Sequence, residues 1–417
     1  MQNNLLFDDL LKILKEDFNK NFLKSILNDY LTGNPHNQIV TDYIYGIIRH
    51  KILLENLIFN FVKKQGIKKE ELHLFLIAFY SITFRDSTNI PVFTNDFIEY
   101  IKNKYNLVKS KFFNGVIRNY LRKKEELLKN LKENQKDVYY SVPKNLYDYI
   151  SGNFDDKKKD ILLNQMVKIP KFYFRINSSF KDDKEVLKEF NIYENIYQLK
   201  TNSFSAIKEY LENKSITIQD ISSQIACYSL NPKESDKILD LCSAPGTKSS
   251  LLAELTNDKA NIFSVELNAD KFEKMKFDLL NYQSIDSLNR DASKPLREKN
   301  FDKIMIDAPC SALGTISKNP DKKYKFDLTE INNYSKVQLE ILNNGFKHLK
   351  KGGELIYVVC TFTKEETTNV IDEFLKQNID AKEVEFTTFD NKFTGKRLNT
   401  EMFYDGDIFF ISKIKKE

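Results

Sequence analysis

The stretch FDKIMIDAPCSALGTISKNPDKKYKF, Phe301 to Phe326, combines an apolar run, a carboxylate, a cysteine and a basic tail in one segment. Lys303 to Ile306 reads as a short buried strand ending at Asp307, followed by Ala308, Pro309 and Cys310. Both polar groups therefore leave the carboxyl end of a strand, where ligands sit in open α/β sheets. A second apolar run, Glu354 to Val359, delivers Cys360 in the same manner. A lone cysteine after a strand is usually plain packing, but two in corresponding positions point to sulfur chemistry.

The four cysteines, Cys227, Cys242, Cys310 and Cys360, form no CxxC pair and no Cys/His cluster. That argues against a metal site. A disulfide framework is equally unsupported, since 417 residues with 41% hydrophobic content can build cores without staples. A net charge of +5 with 29% charged residues permits a basic face without compelling one. The start, MQNNLLFDDLLKILKED, mixes acids among its apolar residues and does not read as a signal peptide. The longest nearly uncharged apolar run, Leu72 to Phe84, is shorter than the roughly 20 residues that span a bilayer. The expectation is a cytoplasmic protein, without membrane or metal, acting as a monomer.

Working outward, three regions separate. Residues 1–137 read as a helical domain, with apolar residues at three- and four-residue spacing such as Ile44, Ile47, Ile48 and Phe113, Val116, Ile117, Tyr120. Breaks are expected at Gly33-Asn34-Pro35, at Gly66 and at Asn89-Ile90-Pro91. Its last helix carries Lys109, Lys111, Arg118, Arg122, Lys123 and Lys124, either a solvated face or a phosphate-contacting one. Glu125 to Lys136 suits a helical connector, with a boundary near Val138 to Pro143. Residues 138–200 mix a helical segment with an alternating strand, Lys171 to Asn177, in which Phe172, Phe174 and Ile176 share one face. This is a small α+β module or a spacer.

From residue 201 to 417 strands alternate with helical patterns: Lys237 to Leu241, Ile262 to Leu267, Lys303 to Ile306 and Glu354 to Val359. That pattern predicts a doubly wound parallel sheet. The first strand runs into Cys242-Ser243-Ala244-Pro245-Gly246-Thr247-Lys248 and then a helix, a nucleotide-type pocket that lacks the glycines of pyrophosphate-binding loops. Glu266 closes the second strand, where an acid commonly accepts hydrogen bonds from ribose hydroxyls. Asp291, in NRDAS, is a candidate for an adenine edge. Both acids also suit turns or caps.

ILDLCSAPGTKSS, VELN, RDAS, DAPCSALG and GGELIYVVCTFTKEE, in that order, resemble the successive motifs of RNA cytosine-5 methyltransferases. SITIQDISSQIACYSLNP resembles the segment before the cofactor loop of that family. The helical front end, with IPVFTNDFIEYIKNKYNLVKSKFFNGVIRNYLRK, resembles the NusB-like RNA-binding domain of one branch, the Sun or RsmB type. The likeness covers nearly the whole chain.

The resemblance implies a class I, Rossmann-like methyltransferase domain that takes S-adenosylmethionine as donor, with Cys242 to Lys248, Glu266, Asp291 and Asp307 around it. Carbon-5 of cytosine is a poor nucleophile, so a thiolate must first add to carbon-6. Strand ends alone do not say which cysteine does so. By resemblance Cys360 is the nucleophile and Cys310 assists product release, while Lys248 and Asp307 hold the base. In SKNPDKKYKF, Lys318, Lys322, Lys323 and Lys325 alternate with Tyr324 and Phe326, a pattern suited to splayed-out RNA or simply to a charged loop. The substrate implied is 16S small-subunit rRNA. The rivals are the same chemistry on tRNA or another RNA, and a non-catalytic RNA-binding ribosome assembly factor.

Overall fold

The computed structural model describes residues 2–17, 23–31, 37–177, 180, 187–193, 195–199 and 204–417. The break expected at Gly33-Asn34-Pro35 lies outside them. The chain divides into two compact units, Met1–Lys168 with Ile316–Phe326, and Ile169–Thr315 with Asp327–Glu417.

The first unit is helical. Asn89 starts the helix Ile90–Lys104 by accepting from Val92 N at 3.2 Å, and Pro91 occupies the first turn, where its missing N–H costs nothing. Asn106 caps Leu107–Asn134 in the same way, and that single helix covers the expected connector as far as Asn134, with Lys136–Tyr139 a separate short helix. Phe113, Val116, Ile117 and Tyr120 on this helix are buried in one cluster with Phe75 and Phe79 of Lys69–Phe84. Arg118 and Arg122 are exposed on it.

The boundary expected near Val138 to Pro143 falls after Lys168 instead. Local bonds explain the difference: Ile52 N donates to Ser141 Oγ at 2.9 Å, and Asn145 Nδ2 donates to Phe326 O at 3.1 Å. Tyr149 also packs its ring on Phe326, with centroids 5.3 Å apart. The helices Lys144–Asn153 and Asp156–Val167 thus belong to the helical unit. No helix among the described residues is long and apolar enough to cross a membrane.

The second unit opens with a small antiparallel sheet made of β1 (Tyr173–Ile176), β2 (Asn191–Tyr193), β3 (Ile196–Gln198) and β4 (Ile216–Ile218), in the order β2-β3-β1-β4. The alternation read from the sequence holds for Phe174 and Ile176, which pack in one small core. The opposite face is covered too: Tyr173 joins the core of the large sheet, and Arg175 is fully buried.

The large sheet contains β5 (Lys237–Leu241), β6 (Asn261–Glu266), β7 (Ile285–Asn289), β8 (Phe301–Asp307) and β9 (Leu349–Val359), all parallel. Phe410–Lys416 adds antiparallel to β9, and the order reads Ala381–Glu383, Phe410–Lys416, β9, β8, β5, β6, β7. Alternation assigns the two faces. Ile238, Met305, Ile356 and Val358 meet the helices Ile221–Leu230 and Thr247–Leu255, while Leu239, Leu241, Ile306, Tyr357 and Val359 meet Leu328–His348 and Thr368–Gln377. Strand order reverses at β5, which is flanked by β6 and β8, so the carboxyl ends of these strands frame the crevice where such sheets bind ligands.

Candidate active site

The loop after β5 is held in a special conformation. Cys242 lies in the left-handed region at φ +62°, and Gly246 does so at φ +96°. A Cβ on Gly246 would come within 3.0 Å of Met275 Cγ, so a side chain there would be both strained and crowded. Ser243 N donates to Val265 O at 2.9 Å, tying the loop to β6. Glu266 closes the other side: its carboxylate accepts from Ala244 N at 3.3 Å and Asn268 N at 2.8 Å. Asp291 takes two bonds from Ser293, N at 2.9 Å and Oγ at 2.8 Å, and these hold its carboxyl below the usual range. The loop follows β5 and Glu266 closes β6, as read from the sequence, while Asp291 follows β7, a strand that the sequence reading did not include.

Lys248, in the first turn of Thr247–Leu255, is buried and donates to Asp307 Oδ2 at 2.5 Å. Burial works against its charge, but Asp307 outweighs that and raises the Lys248 pKa. Its ammonium also lies 5.5 Å from the centre of the Phe409 ring. One strand further on, Cys310 Sγ and Cys360 Sγ are 3.3 Å apart, both half-buried. The bond to Cys360, then burial, pushes the Cys310 thiol well up. Cys227 and Cys242 are also pushed up, first by burial, Cys227 to about 12. The structure thus brings Lys248, Asp307, Cys310 and Cys360 to the ends of neighbouring strands.

The basic tail of the opening stretch behaves differently. Ile316–Phe326 belongs to the helical unit, where Lys323 is fully buried and donates to Arg49 O at 2.6 Å and Met166 O at 3.3 Å. Tyr324 donates its hydroxyl to Ile48 O at 2.8 Å. Lys323, read as an RNA contact, is therefore an interior group that satisfies helix-end carbonyls, and that assignment is corrected, whereas Tyr324 is half-buried. Lys318 and Lys322 on the same segment are half-buried.

Several groups carried no distinctive sequence signal. Glu366 is fully buried and bonded to residues beside both cysteines. Asp240, inside β5, accepts from Ser249 Oγ at 2.6 Å through Oδ2, while its Oδ1 is buried with no partner among the described residues. Burial pushes the Asp240 carboxyl up to about 7. In the folded protein this acid keeps its proton from about pH 4 to about 7, whereas the unfolded chain has released it. Its contribution to stability is present below about pH 4 and lost as pH rises to about 7. Asp240→Asn should flatten that fall, which amounts to at most about 1.4 kcal/mol per pH unit. Urea unfolding of both proteins at pH 5, 6, 7 and 8 checks it, and parallel pH profiles would refute it.

A parallel sheet with this order, an antiparallel last strand and a glycine-cradled first loop defines a class I, Rossmann-like methyltransferase domain, with S-adenosylmethionine as its methyl donor. Residues 227–415 match the family described as 16S rRNA methyltransferase RsmB/F, and residues 4–122 match the NusB family. Ribosomal RNA small subunit methyltransferase B of Yersinia enterocolitica is 31% identical over 317 residues, covering 73% of this chain and 72% of that protein. The probable ribosomal RNA small subunit methyltransferase B of Bacillus subtilis is 24% identical over 398 residues, covering 90% of this chain and 88% of that protein. The chain belongs to the ribosomal RNA small subunit methyltransferase B family. Among solved structures, PH0851 superposes with a TM-score of 0.72 over 99% of both chains at 19% identity. NSun6 from Pyrococcus horikoshii gives 0.56 over 66% of this chain and 98% of its own, at 20% identity. At these identities the likeness to both is one of fold.

Proposed function

We propose that this chain transfers a methyl group to carbon-5 of a cytosine in 16S small-subunit rRNA through a covalent adduct between Cys360 and the base. The observation that carries the reading is the pair of thiols, 3.3 Å apart after adjacent strands β8 and β9, beside the Lys248–Asp307 pair. Bound by Cys242 to Thr247, Glu266, Asp291 and Asp307, S-adenosylmethionine supplies an electrophilic methyl group.

The Cys360 thiolate adds to carbon-6, and the electrons of the C5–C6 double bond move to carbon-5 and into the ring. Lys248, kept charged by Asp307, is placed to stabilise that negative charge. Carbon-5 then takes the methyl group as the methyl–sulfur bond breaks, with its electron pair left on the donor sulfur. Loss of the carbon-5 proton to a base restores the double bond as the C6–S bond breaks and Cys360 leaves as thiolate. Cys310 keeps its proton at neutral pH and sits against Cys360, which suits a part in that release. The target base must leave its stack to reach these strand ends. Exposed Arg118 and Arg122 of the NusB-like domain, with Lys318 and Lys322, are the proposed backbone contacts.

Incubating Cys310→Ala and Cys360→Ala with unmodified 16S rRNA and S-adenosylmethionine, then separating them on a denaturing gel, tests this. Cys310→Ala should accumulate a slowed protein–RNA band and Cys360→Ala none. A reversed pattern would exchange the two roles. Absence of adduct in both, with donor binding intact, rules the covalent reading out for this RNA, and tRNA is then the next substrate to try.

A further inference from the structure

We infer that Glu366 is a positioning residue that sets the two thiols of the proposed reaction against each other. Its carboxylate is fully buried, and no basic side chain pairs with it among the described residues. Instead it collects five hydrogen bonds. Oε1 accepts from Ser311 N at 2.7 Å and Gln338 Nε2 at 3.2 Å. Oε2 accepts from Ser311 Oγ at 2.6 Å, Thr361 Oγ1 at 3.2 Å and Thr363 Oγ1 at 2.7 Å.

Ser311 follows Cys310 directly and Thr361 follows Cys360, so one carboxylate grips the residue next to each cysteine. Gln338 adds a bond to Pro309 O at 2.9 Å, on the other side of Cys310. Glu366 is itself fixed, because its carbonyl accepts from Tyr357 OH, on β9, at 2.8 Å. Burying an unpaired charge costs several kcal/mol unless its lone pairs are satisfied, and an apolar residue would avoid that cost. A carboxylate placed here suits joining two loops that carry reacting groups, and its negative charge also helps hold Cys310 as a thiol.

The inference rests on the proposed chemistry for its purpose, but its test does not. Dithiodipyridine attacks one thiol to give a mixed disulfide and one pyridinethione. A second thiol in reach displaces the second pyridinethione and closes an internal disulfide. In the wild-type protein, mass spectrometry should find the Cys310–Cys360 linkage, and release of the second pyridinethione gives the rate of closure.

Glu366→Ala should slow that closure about tenfold or more and lower kcat about 100-fold, the scale set by an ångström of misplacement. KM for S-adenosylmethionine should stay unchanged. Glu366→Gln should remain within about threefold of wild type in both, because its amide can donate to hydroxyls that turn to accept while its carbonyl still receives Ser311 N. A folded Glu366→Ala protein that closes at the wild-type rate overturns the inference, as does a wild-type protein that never forms the linkage. If Glu366→Ala does not fold, Thr361→Val goes into the same assay, since it removes the bond from the carboxylate to the residue after Cys360; slowed closure supports the inference and unchanged closure overturns it. Slowed closure alongside a wild-type protein unable to methylate cytosine would leave the clamp standing and remove the proposed reaction.

Discussion

Gly314→Ala should abolish most of the activity while adding only a methyl group. Gly314 lies in the short helical turn Leu313–Thr315, where its N donates to Cys360 O and its O accepts from Ile408 N, each at 2.9 Å. A Cβ at this position would sit 2.0 Å from Ile408 O and 2.8 Å from Cys360 O. Both are backbone atoms, so no side-chain rotation relieves the clash, and the cysteine loop itself must move. Overpacking typically costs about 1–3 kcal/mol, and an ångström of displacement at a reacting group costs about 100-fold in rate. Methyl transfer under saturating donor and the thermal midpoint would be measured together. Ala312→Gly is the control: Ala312 is left-handed at φ +54°, a conformation glycine adopts freely, so that variant should stay close to wild type. Equal activity in Gly314→Ala and wild type would mean that Cys360 tolerates a different backbone position from the one seen.

Four of the five parallel strands were legible because each is a short apolar run ended by a polar residue; β7, with Asp286, Ser287 and Asn289 in five residues, has no such run and was not read. The same signal placed Asp307, Cys310 and Cys360 at strand ends, and the order of motifs placed Lys248 and Glu266 around the loop. Their pairing was not readable in that way. Lys248 and Asp307 are 59 positions apart and Cys310 and Cys360 are 50 apart, and only the register of β5, β8 and β9 brings them together. Charge patterns misled where burial inverted them. Lysines among aromatics look like a nucleic-acid surface, yet the Lys323 ammonium finds two carbonyls inside the helical unit. Glu366 gave the opposite problem, an acid in the polar-looking run TFTKEE whose environment is entirely internal.

Arg175 is the strongest case of a residue hidden by its pattern, and replacing it should produce the largest loss of stability. Alternation in β1 puts it opposite Phe174 and Ile176, the face a single-sheet reading leaves to solvent. Its guanidinium is instead fully buried and pairs with Glu254 Oε2 at 2.6 Å, the carboxylate being almost as buried. It also donates to Gln219 Oε1 at 2.8 Å, Asn177 Oδ1 at 3.0 Å and Ser250 Oγ at 2.7 Å. Glu254 and Ser250 lie on Thr247–Leu255, so this arginine ties the small sheet to the helix that carries Lys248. Arg175→Met should destabilise the second unit by about 3–5 kcal/mol, because Glu254 is left buried without its counter-charge. The double variant Arg175→Met/Glu254→Gln removes that stranded charge while leaving an acceptor for Tyr282 OH, which now donates to Glu254 Oε1 at 2.6 Å. It should recover a substantial part of the loss, whereas independent contributions would simply add. Urea unfolding of wild type, both singles and the double gives the coupling directly. A double variant as unstable as the sum of the singles would show that the ion pair is not what holds the helix to the sheet.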